Sequence, residues 1–131
     1  RLNALLADMM AGYSEYEVGL EEIHHTEKKD APSGTAITLA QGVMQHLRHK
    51  TNWVNRASNA RHELPILSLR EDNVPGTHTV VYRSEIDTLE IKHTAHSRQG
   101  FALGAVLVAE WIPGRQGVLG MDDFLPFKIK E

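Results

Sequence analysis

Between Glu22 and Thr35 the sequence reads Glu-Ile-His-His-Thr-Glu-Lys-Lys-Asp-Ala-Pro-Ser-Gly-Thr. Two adjacent imidazoles, two lysines and a Ser-Gly-Thr run therefore fall within fourteen residues. Imidazole is the side chain whose ordinary proton affinity lies near neutral pH. Adjacent residues on an extended chain point to opposite faces, so His24 and His25 are expected to divide their work. One would give a proton to a reacting carbon while the other grips substrate; the spacing leaves open which does which. Downstream, Pro32 suits the first turn of a helix and Asp30 is a capping candidate. The amides of Ser33, Gly34 and Thr35 then lie at a helix N-terminus, where unpaired N–H groups and the helix dipole attract an anion. Gly34 allows close backbone approach, the hydroxyls of Ser33 and Thr35 add hydrogen bonds, and Lys28 and Lys29 add positive charge. This is the equipment for holding a small carboxylate beside a proton donor. The plainer roles are a simple helix cap and surface histidines at a strand end.

These residues need elements to hold them. Leu2, Leu5, Leu6, Met9 and Met10 recur at helical spacing and predict an amphipathic helix over 2–11, closed by Gly12. Residues 15–25 read as a strand. Ala36, Ala40, Val43 or Met44, and Leu47 share one helical face and predict a helix over 33–48. Residues 50–63 are polar and irregular, as in a surface loop. A strand over 66–69, a Val74-Pro75-Gly76 turn, and a hairpin of 77–84 with 88–94 follow. A last helix, 100–112, carries Ala102, Ala105, Val106, Ala109 and Trp111 on its apolar side and stops at Pro113-Gly114. The order α-β-α-β-β-β-α predicts an α+β domain with a mixed, mainly antiparallel sheet and flanking helices.

Composition bounds the function. At 131 residues the chain has the length of one domain with a substantial core. A net charge of −3 offers no basic footprint, so nucleic acid is not an expected partner. No apolar run reaches the length of a membrane span, and no secretory leader pattern is present, so membrane association is not expected either. The absence of cysteine fits a cytoplasmic location. The chain opens on Arg1, inside a helical pattern without a cap, which suggests a piece of a longer or trimmed protein.

Other constellations carry less. His46 and His49 stand at i, i+3 near a helix end, but without a third ligand nearby no metal site is expected; they read as solvent-facing positions. Glu17, Glu21, Glu22 and Glu27 read as strand-edge solvation rather than paired acid chemistry. Trp111 reads as core, and Trp53 as an anchor in a polar loop. His78, at the start of a strand, reads as structural or interfacial.

The string from Glu22 to Ala36 resembles, without a gap, the signature Glu-x-His-His-x-x-Lys-x-Asp-Ala-Pro-Ser-Gly-Thr-Ala of the 4-hydroxy-tetrahydrodipicolinate reductases (dihydrodipicolinate reductases) of lysine and diaminopimelate biosynthesis. The resemblance continues in Gly76-Thr77-His78-Thr79-Val80, His93-x-x-x-Ser97-Arg98 and Phe101-Ala102-x-Gly104-Ala105. It implies an oxidoreductase in which NADH or NADPH delivers hydride to a cyclic dicarboxylate and the enzyme protonates the neighbouring carbon. By motif position His24 is implied as general acid and Lys28 as a second proton donor. His25, Ser33, Gly34 and Thr35 are implied as substrate-binding. Arg98 and Phe101 would lie near the domain cleft, outside the catalytic set. A cytoplasmic homotetramer built through the sheet is also implied.

The family's cofactor half carries a glycine-rich turn between a strand and a helix. Nothing here resembles it, since Gly114-Arg115-Gln116-Gly117 and Gly117-Val118-Leu119-Gly120 follow a helix stop. The expectation is that residues 1–131 are a substrate-binding and tetramerisation domain without its Rossmann partner, inactive alone. Residues 113–131 would form a tail that packs back toward the cofactor domain, which holds the main NADH or NADPH site. The rival readings are a dicarboxylate-binding module without catalysis and a purely structural oligomerisation domain.

Overall fold

The computed structural model describes residues 1–125; the end of the expected tail, 126–131, lies outside them. In order the elements are α1 (Leu2–Met10), β1 (Glu17–His24), α2 (Gly34–His46), β2 (Asn52–Val54), β3 (Glu63–Arg70), β4 (Gly76–Arg83), β5 (Thr88–Ala95), α3 (Gln99–Trp111) and α4 (Met121–Phe124). They fall into two compact units, Arg1–His96 and Ser97 onward.

The first unit is an α+β layer with a five-stranded sheet in the order β2-β3-β1-β4-β5. β1 pairs with β3 in parallel and with β4 in antiparallel. β2 joins β3 in parallel and β5 joins β4 in antiparallel. The sheet is therefore mixed, with its antiparallel half formed by β1, β4 and β5. Burial alternates along β1 with the period of two that a strand imposes, and Val18, Leu20, Glu22 and His24 are the buried set. Val18 and Leu20 join Leu64, Ile66, Val80 and Tyr82 in one core with α1 and α2.

α2 forms for the reason its sequence suggests. Ala36, Ala40, Val43 and Leu47 present a single stripe, each 4% exposed or less. Its cap is Ser33 rather than Asp30: the Ser33 hydroxyl accepts the Ala36 N–H at 3.2 Å. Asp30 is drawn away by Lys28, whose Nζ lies 2.7 and 2.9 Å from its two carboxylate oxygens.

Several expectations are corrected. α1 buries Asn3, Ala7 and Met10, while Leu2 and Met9 are 70% and 63% exposed. Met10, and Leu6 in part, face the core as the spacing predicts, whereas Leu2, Leu5 and Met9 do not. The polar stretch 50–63 contains a short strand, β2, whose Trp53 packs partly buried against the core. No residue of α3 is buried. Trp111 is half-buried, edge-to-face with Phe124 at 5.4 Å and under the Arg115 guanidinium at 4.0 Å, within the second unit. His49 lies past the end of α2, and His46 pairs with Asp8 at 3.1 Å, so the helical i, i+3 pair does not form.

Candidate active site

The site is assembled from one row of residues across the sheet and the two segments that leave it. Register places Ser68 of β3 beside Glu22 of β1, Glu22 opposite His78 of β4, and His78 opposite His93 of β5. Two residues further along β1, His24 ends the strand beside Arg70 of β3. Glu22 is a correction to the sequence reading: it is not a solvated edge residue but 0% exposed, in the central strand.

A buried carboxylate is costly unless its oxygens are satisfied. Glu22 accepts the Ser33 N–H at 2.9 and 3.1 Å and the Ser68 hydroxyl at 2.7 Å. Its Oε2 also faces His24 Nδ1 at 3.5 Å and His78 Nε2 at 3.7 Å, and Arg70 approaches Oε1 at 3.9 Å. Burial raises the affinity of this carboxyl for protons, but the hydrogen bonds from Ser33 and Ser68 and the neighbouring His24 outweigh it, so the net shift is downward. Glu22 is thus held as an anion.

Both imidazoles are shifted down. For His24, burial comes first; Glu22 opposes it, while Lys28, Arg70 and His25 reinforce it. For His78, burial again leads, His24 adds to it, and Glu22 opposes. The two rings meet edge-on with centroids 5.0 Å apart. Gly76 opens β4 beside them, and a Cβ there would come within 3.2 Å of His24 Nε2. Only glycine leaves the ring that room.

The residues expected to form an anion cradle divide between a buried and an exposed part. Ser33 is buried, with its N–H given to Glu22 and its hydroxyl shared between the Ala36 N–H and His78 Nε2, the latter at 3.1 Å. Gly34 and Thr35 are exposed at the start of α2, and a Cβ on Gly34 would meet open space. Their amides are the outward-facing donors of the helix start. His25 is half-buried one residue past β1, and the Lys28 N–H returns to its carbonyl at 3.1 Å. Arg70 fixes the same turn by donating to the carbonyls of Lys28 and Asp30 at 3.3 and 2.7 Å. Lys29 is exposed. Arg98 and Phe101 belong to the second unit.

Donor atoms of Glu22, His24 and His78 lie within 4.8 Å of one another, a spacing that could hold a divalent ion. The Glu22 oxygens are already engaged by Ser33 and Ser68, and Lys28 and Arg70 bring positive charge to the same place. The cluster fits proton handling beside an anion better than cation binding.

The family relationship is direct. Residues 1–125 match the model of the dihydrodipicolinate reductase C-terminus. A curated 4-hydroxy-tetrahydrodipicolinate reductase of Christiangramia forsetii is 52% identical over 124 residues, covering 95% of this chain and 52% of the relative. The enzyme of that name from Methanosarcina mazei is 42% identical over 115 residues, covering 86% of this chain and 44% of the relative. The chain thus spans about half the length of the relatives it matches. Among solved structures, a dipicolinate-bound dihydrodipicolinate reductase from Paenisporosarcina sp. TG-14 shares the fold. Its TM-score is 0.62 at 23% identity, with 85% of this chain and 44% of that one covered. The protein belongs to the dihydrodipicolinate reductase C-terminal domain family.

Proposed function

We propose that this chain is the substrate-binding and tetramerisation domain of a reductase that converts 4-hydroxy-tetrahydrodipicolinate to tetrahydrodipicolinate in lysine and diaminopimelate biosynthesis. What supports the reading, in a chain of this family, is that the Lys28 charge acts on His24 and that Glu22, beside His24, holds Ser33 at the start of α2. The dipicolinate in the related structure is a planar dicarboxylate of the matching kind.

NADH or NADPH supplies the hydride in this reading, from a domain outside this chain. The described residues do not fit a dinucleotide: β1 runs into α2 through Pro32-Ser33-Gly34, with no glycine-rich fingerprint. What the chain contributes is binding and proton transfer. The Gly34 and Thr35 amides, with the Ser33 start behind them, hold one carboxylate. Lys28 neutralises negative charge and serves as a second proton donor, and His25 binds the ring substrate. His24 delivers a proton to the carbon beside the one reduced; arrival of a dianion raises the proton affinity of its imidazole.

Assembly uses the sheet face turned away from α1 and α2. Leu67 and Leu69 there are 40% and 46% exposed, beside Ile23, Pro65 and Val81. An apolar face and open strand edges favour closure against other copies, here as a homotetramer in the cytoplasm. A monomer in sedimentation would contradict this assembly.

The activity test is NAD(P)H oxidation by the complete gene product with its cyclic dicarboxylate. His24→Gln should lower kcat by about a hundredfold or more, the scale of a lost general acid. Full activity in that variant, or in Lys28→Gln, would favour a binding or structural module instead.

A further inference from the structure

Resting on that functional reading, the geometry points to Glu22 as the positioning residue that fixes the His24 tautomer. It holds hydrogen on Nδ1 and so assigns the transferable proton to Nε2. His24 Nδ1 is buried without a hydrogen-bond partner, and the group that faces it is Glu22 Oε2 at 3.5 Å. An anionic oxygen there can accept a hydrogen but cannot offer one. The opposite ring nitrogen, Nε2, lies on the Gly76 side, where a Cβ would come within 3.2 Å of it. Neutral His24 is thereby set as Nδ1–H with a bare Nε2, and the imidazolium is set to release its proton from Nε2.

The same carboxylate accepts the Ser33 N–H, so one buried group locks both the proton donor and the root of the anion cradle. Its remaining partner, Ser68 on β3, braces it from the far side. The register makes this possible, because Glu22 and His24 are two residues apart on one strand and share a face.

Glu22→Gln gives a sharp test. Ser33 N–H is shared between Oε1 and Oε2 at 2.9 and 3.1 Å and Ser68 O–H donates to Oε1 at 2.7 Å, so the glutamine oxygen is favoured at Oε1, where it keeps both donors. Its NH2 then faces His24 Nδ1 as a donor, and neutral His24 should switch to Nε2–H. Ring-nitrogen NMR of the ¹⁵N-histidine-labelled chain reads this directly: Nδ1–H expected in wild type, Nε2–H in the variant. The charged groups facing His24 are Glu22, His25, Lys28, Arg70 and His78. With the one anion among them neutralised, the imidazole should also titrate at lower pH. In the complete gene product kcat should fall by at least about tenfold and up to about 10⁴-fold, the upper figure being the loss when the carboxylate that sets a catalytic histidine's tautomer becomes an amide. KM should change little, since the cradle amides remain.

A wild-type Nε2–H tautomer, or no switch in a folded Glu22→Gln chain, overturns the assignment whatever the protein's activity. A switch with unchanged kcat, in a protein that His24→Gln inactivates, overturns the role in turnover. Failure of the wild-type gene product to reduce any cyclic dicarboxylate is the separate failure of the functional reading. The tautomer measurement then decides the Glu22–His24 relationship alone.

Discussion

The carboxylate of Glu22, in the middle of the sheet, accepts the backbone N–H of Ser33, the cap of α2, at 2.9 and 3.1 Å. That contact spans eleven residues and fixes the loop carrying His25, Lys28 and Asp30 at both ends. It also makes the helix start part of the sheet's hydrogen-bonded interior rather than a free surface feature.

Removing this anchor should be felt in stability. Glu22→Ala leaves the buried Ser33 N–H without its acceptor, while the half-buried Ser68 hydroxyl keeps Asn55 Oδ1 at 3.0 Å. The expected loss is about 1–3 kcal/mol by urea denaturation, with Glu22→Gln losing clearly less. Equal losses for the two variants would show that the hydrogen bonds are not what Glu22 contributes.

Stability should fall as the solution is acidified from neutrality. His24 and His78 are both held below the ordinary imidazole range, burial being the first cause for each. The unfolded chain then binds their protons more readily, so stability rises with pH between the folded and unfolded values. Descending in pH, it is lost from about 6.5 through the lower folded values. The depressed Glu22 carboxyl adds a further loss below about 4.5. His78→Gln should flatten the upper part of this slope in urea titrations at stepped pH; an unchanged slope would contradict the assignment.

Gly76→Ala should damage the site more than the fold. The added Cβ would sit 3.2 and 3.3 Å from His24 Nε2 and Cδ2, forcing the ring to shift. Overpacking of this kind costs about 1–3 kcal/mol. The expected outcome is loss of most turnover with the variant still folded by circular dichroism. Retained turnover would show that His24 is not held where Gly76 leaves room.

In the proposed site Asp30 would compete with substrate for Lys28, which it pairs with. The pair is close at 2.7 Å, but its carboxylate is 60% exposed, so its own stabilising effect is small. Asp30→Asn should bind a dicarboxylate about two- to fivefold more tightly in calorimetry, because one like charge is removed from the site. Weaker binding would assign Asp30 to the substrate side.

The sequence made the local parts of this site legible. The fourteen-residue segment, the helix behind Ser33 and the hairpin of β4 and β5 all follow from spacing and turn residues. What it could not show was long-range pairing. Glu22 meets Ser68 and His78 only because β1 lies between β3 and β4. The period of two did place Glu22 on the His24 face, a signal present in the strand and outweighed by the number of glutamates around it. Spacing puts Trp111 on an apolar helix face, which reads as core only if that face is covered within this chain, and α3 buries none of its residues. β2 escaped because three residues carry no periodicity.

In the proposed function a dicarboxylate substrate binds at the start of α2. Titrating the ¹⁵N-labelled chain with pyridine-2,6-dicarboxylate, and following its amide resonances, tests that most directly. Saturable binding with the largest shifts at Gly34 and Thr35, abolished in Lys28→Met, is the predicted result. Binding that leaves both amides untouched, in the chain and in the complete gene product alike, would contradict it.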